Sequence, residues 1–439
     1  MNVLLVSPTA LDSQGRPIRQ RRVHLPALTL PMLAAVTPPD VRLRFVCETV
    51  QDIPFDEPWD LVGLTGMGSG IVRAWQIADE FRRRGITVVI GGIAASLGDP
   101  AWSLAHADAV VLGEAEAIWP EVLEDAAAGR LQAIYRMQRE PAIDQLPLPR
   151  YDVLDPAVYG WWRPAQATRG CPFTCTFCSI TAFFRQRYRK RPVEQVVRDV
   201  REAKRNGTRY IAFVDDNIGV DWDYCAALWE ALIPERIIWI SQCSIHIADR
   251  PDMLALASRS GCRLLSFGIE STNPRSLATI DKAWNRPERY GDAVRRIRAH
   301  GIDVSTEMII GLDDDDGSVF QRTYDFIMGN AISVPRVHIL TPIPGTPLYD
   351  ELRDDGRLLS EDFERYTGGR VVFRPKRLTP DELAAGYWTL YERLFSWSAI
   401  RKRVGANPAS LRGYMRALVV GVNLHYRRHI HHRICPGIV

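Results

Sequence analysis

Along residues 1–128, short apolar runs alternate with amphipathic stretches. The runs at 3–7, 61–65, 87–90 and 109–112 are near-continuously apolar, the run at 41–47 is apolar apart from Arg42 and Arg44, and a helical period is clearest over 71–84, ending at Gly85. Strands that are apolar throughout, with helices between them, predict a parallel sheet covered on both faces. Ligands of such sheets sit at the carboxyl ends of the strands. Glycines gather there: Gly66, Gly68 and Gly70 after the third run, Gly91 and Gly92 after the fourth, Gly113 after the fifth.

A second alternation spans 165–348. Its predicted strands are 166–169, 210–214, 237–242, 264–269, 304–310 and 336–340, and its predicted helices are 193–206, 221–232, 251–260, 287–300 and 318–328. Gly207, Gly261 and Gly301 follow helices as stop signals. Six repeats are too few to close an eight-stranded barrel and predict a partial one. Between the two alternations, 129–164 carries Pro141, Pro147 and Pro149 and reads as a linker. The remainder, 349–439, is helical in pattern around 381–395 and turns basic at Arg427-Arg428-His429 and His431-His432-Arg433. That tail reads as a solvated helix, with the apolar run 418–422 leaving membrane-surface contact as the alternative.

The totals narrow the class. A chain of 439 residues exceeds one ordinary core. With 46% hydrophobic and 24% charged residues it reads as globular, and a formal charge of +3 is too small to imply nucleic acid. The N-terminal apolar run lacks a basic start and reads as a first strand rather than a signal peptide. No apolar run is long enough to span a bilayer. Cys47, Cys225, Cys243, Cys262 and Cys435 show no pairing pattern, which is the usage of a reducing compartment, and a cytoplasmic location is expected.

The other three cysteines carry chemistry. Cys171, Cys175 and Cys178 lie in Arg169-Gly-Cys-Pro-Phe-Thr-Cys-Thr-Phe-Cys178. Three thiolates so spaced can take three corners of a 4Fe–4S cubane and leave the fourth iron open to a small molecule. A zinc site would need a fourth ligand nearby, and Cys225 and His246 are far along the chain. The run, with Phe177 before its last cysteine, resembles the CxxxCxxC signature of radical S-adenosylmethionine (SAM) enzymes.

Ser7-Pro8, Leu30-Pro-Met-Leu-Ala-Ala35, Leu64-Thr65-Gly66, Gly91-Gly92 and Leu112-Gly113-Glu114-Ala-Glu116 together resemble the cobalamin-binding domain fused to many such enzymes. The resemblance implies an α/β chain: an N-terminal Rossmann-like cobalamin-binding domain (1–128), a linker (129–164), a partial (β/α)6 radical SAM barrel (165–348) and a small, mostly helical accessory region (349–439). It implies that Thr65, Gly66, Gly68, Gly91, Gly92, Gly113 and Glu114 meet cobalamin. The Asp-x-His-x-x-Gly motif that ligates cobalt in other cobalamin folds is absent. His24 and His106 are outside that context and read as packing or surface residues.

For SAM, the resemblance points to Asp215 and Asp216 near the amino group, in Phe213-Val-Asp-Asp-Asn217, although Asp and Asn there would equally suit a turn or helix cap. It points to Glu270 and Ser271 in Gly268-Ile-Glu-Ser271, with a salt bridge at the barrel mouth as Glu270's alternative. It points to Glu307 in Glu307-Met-Ile-Ile-Gly311, flanking adenine. The acidic run 313–316 reads as a solvated helix start. The implied cofactors are a 4Fe–4S cluster, SAM and cobalamin, with a flavodoxin or ferredoxin as electron donor and a small molecule as substrate. The implied function is C-methylation through a 5′-deoxyadenosyl radical and methylcobalamin. Cyclisation or rearrangement with the same cofactors, and a cobalamin-binding regulator with a structural cluster, are the alternatives. For substrate and methyl donor to meet, the two sheets' carboxyl edges must face each other.

Overall fold

The computed structural model describes residues 1–23, 25–406 and 413–437; His24 lies outside them. Six strands build a wholly parallel first sheet: β1 (Asn2–Ser7), β2 (Arg42–Cys47), β3 (Leu61–Thr65), β4 (Thr87–Gly91), β5 (Ala109–Leu112) and β6 (Ile134–Arg136). Their order is β2-β1-β3-β4-β5-β6. The two-residue period of each strand sends alternate side chains to opposite layers. Leu4, Val6, Val62 and Leu64 meet the helix Gly70–Arg83 through its Ile71, Ala74, Ile77, Ala78 and Phe81. Val3, Leu5 and Leu61 meet Leu30 and the helix Trp119–Ala127 on the other face. Each buried Ile, Leu or Phe contributes about 2 kcal/mol. The chain leaves β1 for one neighbour and returns to its other side for β3. That reversal opens a crevice at the strand carboxyl ends.

The second unit contains β7 (Trp162–Ala165), β8 (Thr168–Arg169), β9 (Arg189–Lys190), β10 (Tyr210–Phe213), β11 (Ile238–Gln242), β12 (Cys262–Glu270), β13 (Asp303–Ile310) and β14 (Val334–Ile339). All but β8 and β9 form a parallel sheet in the order β14-β13-β12-β11-β10-β7, so β7 and β14 remain as edges of an open barrel. The short β8 and β9 pair antiparallel beside the cysteine loop.

The segment expected as a linker therefore contributes an edge strand to each sheet. The barrel's first strand is 162–165 rather than 166–169. Pro164 disguises it, yet an edge strand tolerates the missing donor. Arg163 is buried there, with its guanidinium on the carbonyls of Leu154, Gly160 and Trp162.

The basic tail also departs from expectation. The helix Tyr414–His431 lies on the inner face of the barrel sheet, where Met415 packs with Trp162, Ala212 and Ile240. Asn423 Nδ2 donates to Ser333 O at 2.9 Å. The run 418–422 is thus turned toward protein, with Val419 buried. The acidic run is engaged as well: Asp315 is buried and accepts from the Gly311 and Leu312 amides at 3.0 Å and from Ser276 at 2.7 Å. Among the described residues, no helix is long and apolar enough to cross a membrane.

Candidate active site between two sheet edges

The carboxyl ends of the two sheets face each other across two cavities. One, of about 410 Å³, is bounded on the barrel side by Phe177, Glu270, Glu307, Ile309 and His338, and on the other by Gly68, Ile71, Trp75 and Trp102, with Phe363 and Tyr366 closing it. The second, of about 550 Å³, has Thr65, Gly66, Gly91, Gly92, Gly113 and Glu114 on one wall and Gln166, Arg169, Val214, Asp216 and Gln242 on the other. It runs down the first sheet past Leu5 and Gly63 beside Leu28, Met32 and Leu33.

Gly92 and Gly113 have φ of +96° and +110°. Only glycine holds such a backbone without strain. A Cβ at Gly92 would also lie 2.7 Å from Thr65 Oγ1, and one at Gly113 would lie 2.6 Å from Met137 Cβ. These glycines are demanded by the turns themselves, and the open wall they leave is the consequence. His106 bonds Asp79 at 2.9 Å and stacks on Trp75 at 5.3 Å, a packing role.

The cysteine loop follows β8. Cys175 is buried, and burial pushes its thiol up to about 12, with the Lys282 ammonium pulling the other way. Burial raises Cys171 as well. The thiols lie close enough to influence one another electrostatically. Yet among the described residues no three His, Cys, Asp or Glu side chains converge on a single ion. Three soft donors on one loop, with no fourth ligand beside them in sequence, fit a cubane, which takes one thiolate per iron, better than a lone zinc.

Asp215 is spent on the chain. It is buried and accepts from Ala167 N at 3.2 Å, Thr168 N at 2.5 Å and Thr168 Oγ1 at 2.6 Å; burial outweighs these bonds and pushes its carboxyl up to about 7. Asp216 accepts from Gly170 N at 2.9 Å and faces the larger cavity. The pair expected at the SAM amino group thus ties the end of β10 to the start of the cysteine loop. Ser271 is likewise local, accepting from Asn273 N at 3.1 Å, and lines neither cavity.

Glu270 ends β12 at φ +58°, a left-handed setting uncommon outside glycine. That twist carries its carboxylate to Lys282 Nζ at 2.7 Å, both side chains being buried. Glu307 pairs with Arg336 and with His338 Nε2 at 3.3 Å. Burial pulls His338 down, but the Cys435 sulfur and Glu307 more than reverse this and lift it to about 10. Cys435, on the returning tail, lies 3.5 Å from His338 Nδ1 and accepts from Tyr387 OH at 3.1 Å.

Glu114 crosses between units. Its carboxylate pairs with Arg169 and Arg189, and Arg169 also reaches Glu116 at 2.8 Å. Lys282, Arg169, Arg189 and His338 were not singled out in the sequence. Only Arg169, directly before the cysteine loop, had a local signal.

A barrel mouth with a three-cysteine loop, set against a second parallel-sheet edge, defines the class as a radical SAM enzyme carrying an additional α/β unit. Residues 166–327 match the family model described as the radical SAM superfamily. The chain is 31% identical over 414 residues to a bacteriochlorophyllide d C-12(1)-methyltransferase of Chlorobaculum tepidum, covering 92% of this chain and 90% of that one. It is 30% identical over 419 residues to the C-8(2)-methyltransferase of the same organism, covering 91% and 90%. Its fold matches that of the radical SAM methyltransferase TsrM from Kitasatospora setae, solved with cobalamin and a [4Fe–4S] cluster, at TM-score 0.71 and 16% identity, covering 98% of this chain and 99% of that one. The chain belongs to the radical SAM superfamily, in the family of the two Chlorobaculum tepidum methyltransferases.

Proposed function

We propose that the protein is a cobalamin-dependent radical SAM C-methyltransferase whose acceptor is a small, largely apolar, ring-bearing molecule. The observation that carries this reading is the pair of cavities between facing sheet edges, one beside the cysteine loop and one beside the glycine turns. When bound, the reduced cluster supplies the electron that splits SAM into methionine and a 5′-deoxyadenosyl radical, and the corrinoid supplies the methyl group.

The chain's own residues prepare that chemistry. Cys171, Cys175 and Cys178 would hold three irons, with Lys282 offsetting the thiolate charge and Phe177 facing the SAM cavity. Asp215 and Asp216 are positioning residues that fix the loop's start through backbone amides. Glu270 offers a carboxylate to SAM's ribose or amino group while Lys282 holds it. Glu307, clamped by Arg336 and His338, borders the adenine end. Thr65, Gly66, Gly91, Gly92 and Gly113 would wall the corrin, Gly68 would face the SAM side, and Glu114 would act through the arginines that join the units. The corrinoid unit, expected as 1–128, then extends through Arg136, and the barrel begins at Trp162. Trp75, Trp102, Phe363 and Tyr366 give the acceptor aromatic walls, which matches the ring substrates named for the two relatives. Confinement between the two facing edges replaces a chance encounter by a fixed approach. A reducing cytoplasm and a flavodoxin- or ferredoxin-type donor suit an oxygen-sensitive cluster.

The test is anaerobic reconstitution with iron, sulfide, cobalamin and SAM labelled in its methyl group, supplied with small molecules made by the products of neighbouring genes. Expected are 5′-deoxyadenosine and labelled product, both lost when Cys171, Cys175 and Cys178 are replaced by Ala. 5′-Deoxyadenosine without labelled product points to cyclisation or rearrangement. A cluster that never cleaves SAM points to a regulator.

A further inference from the structure

The proposed reaction needs one electron from outside, and the cysteine loop has an outer side. Pro172 and Thr174 on that loop are exposed. Between them, Phe173 stacks on Trp284 with ring centroids 4.2 Å apart and planes 17° apart. Trp284 in turn lies against His246, at 5.2 Å. The loop is fastened to the same segment by Thr176 N donating to Ile280 O at 3.3 Å. Trp284 and His246 form one wall of a separate cleft of about 270 Å³, whose other walls bring Arg286, Arg289, Arg296 and Asp249. The stacked pair Phe173–Trp284 therefore joins this cleft to the cysteine loop.

The cleft is poor in carboxylates for its arginines. Arg289 and Arg296, both about half exposed, share Asp249 at 3.2 Å each. Asp292, also on the cleft, pairs with Arg295 outside it. Arg286 forms no ion pair among the described residues. Exposed guanidinium groups around a half-buried aromatic wall suit an acidic protein surface, which they attract over distance and orient on contact.

We propose that this face, centred on Trp284 and rimmed by Arg286, Arg289 and Arg296, docks a small acidic one-electron carrier protein of the flavodoxin type. The inference rests on the radical SAM reading above. In the transfer step, one electron leaves the carrier's reduced centre and reduces the cluster by one. No bond forms or breaks.

The experiment uses the full chain and the double variant Arg286→Glu/Arg289→Glu, with flavodoxin as the probe. Binding of oxidised flavodoxin is measured by calorimetry on both the iron-free and the reconstituted protein. 5′-Deoxyadenosine formation is measured with reduced flavodoxin and, separately, with dithionite. The expected result is a dissociation constant and a flavodoxin KM raised about tenfold or more, with the dithionite rate unchanged and wild-type binding weakened by salt. A second pair, Arg21→Glu/Arg22→Glu, alters the basic cleft between the N-terminal loop and the last helix. Flavodoxin binding that is lost in this second pair and kept in the first overturns the assignment. So does binding that neither pair changes. A wild-type protein that cleaves no SAM even with dithionite overturns the radical reading instead, and the docking proposal with it.

Discussion

His338 is the residue at which the barrel mouth, the returning tail and the cavity meet. Its imidazole lies between Glu307 and Cys435 and is lifted to about 10 from 6.5. A group whose folded value is raised stabilises the fold fully below its unfolded value, and that contribution fades as pH climbs through the folded one. The melting temperature should therefore decline between about pH 6.5 and pH 10. His338→Gln should lower it at neutral pH and flatten the decline. A variant that retains the full slope would place the titration elsewhere. At this scale the sequence was legible where spacing itself is the chemistry, as in the three cysteines. It was not legible where a carboxylate's use depends on distant partners. Asp215 binds Thr168, 47 positions away, and Glu114 binds Arg189, 75 positions away. No local pattern distinguishes an acid that waits for a ligand from one already satisfied by the chain. Lys282 was invisible for the same reason, since only a twist at Glu270 brings the two together.

The elements were readable in proportion to their apolar content. The runs at β1, β3, β4 and β5 and the helix Gly70–Arg83 stand close to where the pattern puts them, because strands buried on both faces must be apolar throughout. The edge strands β6 and β7 escaped because they are short, and β7 carries Arg163 and Pro164. The last helix was expected, but its placement was not: its basic end suggests solvent, while its inner stripe is covered by the barrel. That placement can be tested at Met415, which is 3% exposed and fills the contact with Trp162 and Ile240. Met415→Ala should destabilise the protein by about 2–4 kcal/mol, whereas Met415→Leu should cost less than about 1.5 kcal/mol. Denaturant titration reads both. A solvated helix would show neither loss.

On the scale of the molecule, two parallel sheets face each other at their carboxyl edges, as the meeting of substrate and methyl donor requires. What the sequence did not reveal is the means by which they are joined. Glu114 leaves the first sheet after β5 and enters the second unit between Arg169, two residues before Cys171, and Arg189 on β9. All of this lies beside the larger cavity, where Glu114 and Arg169 both form part of the wall. A charge cluster this buried should be costly to break, about 3–5 kcal/mol when one partner is removed. Glu114→Gln keeps the shape and removes the charge, leaving Arg169 to Glu116 and Arg189 to Glu140. If the cluster sets how the two units face each other, this variant should still assemble its cluster and cleave SAM. It should nonetheless retain less cobalamin and convert a smaller share of its 5′-deoxyadenosine into methylated product. Glu116→Gln, which removes one partner of Arg169 alone, should have a smaller effect. The ratio of labelled product to 5′-deoxyadenosine is the deciding quantity, because a general loss of folding lowers both together. A ratio equal to wild type in Glu114→Gln would mean that the units are aligned by their apolar walls, with the buried charges contributing stability but no registration.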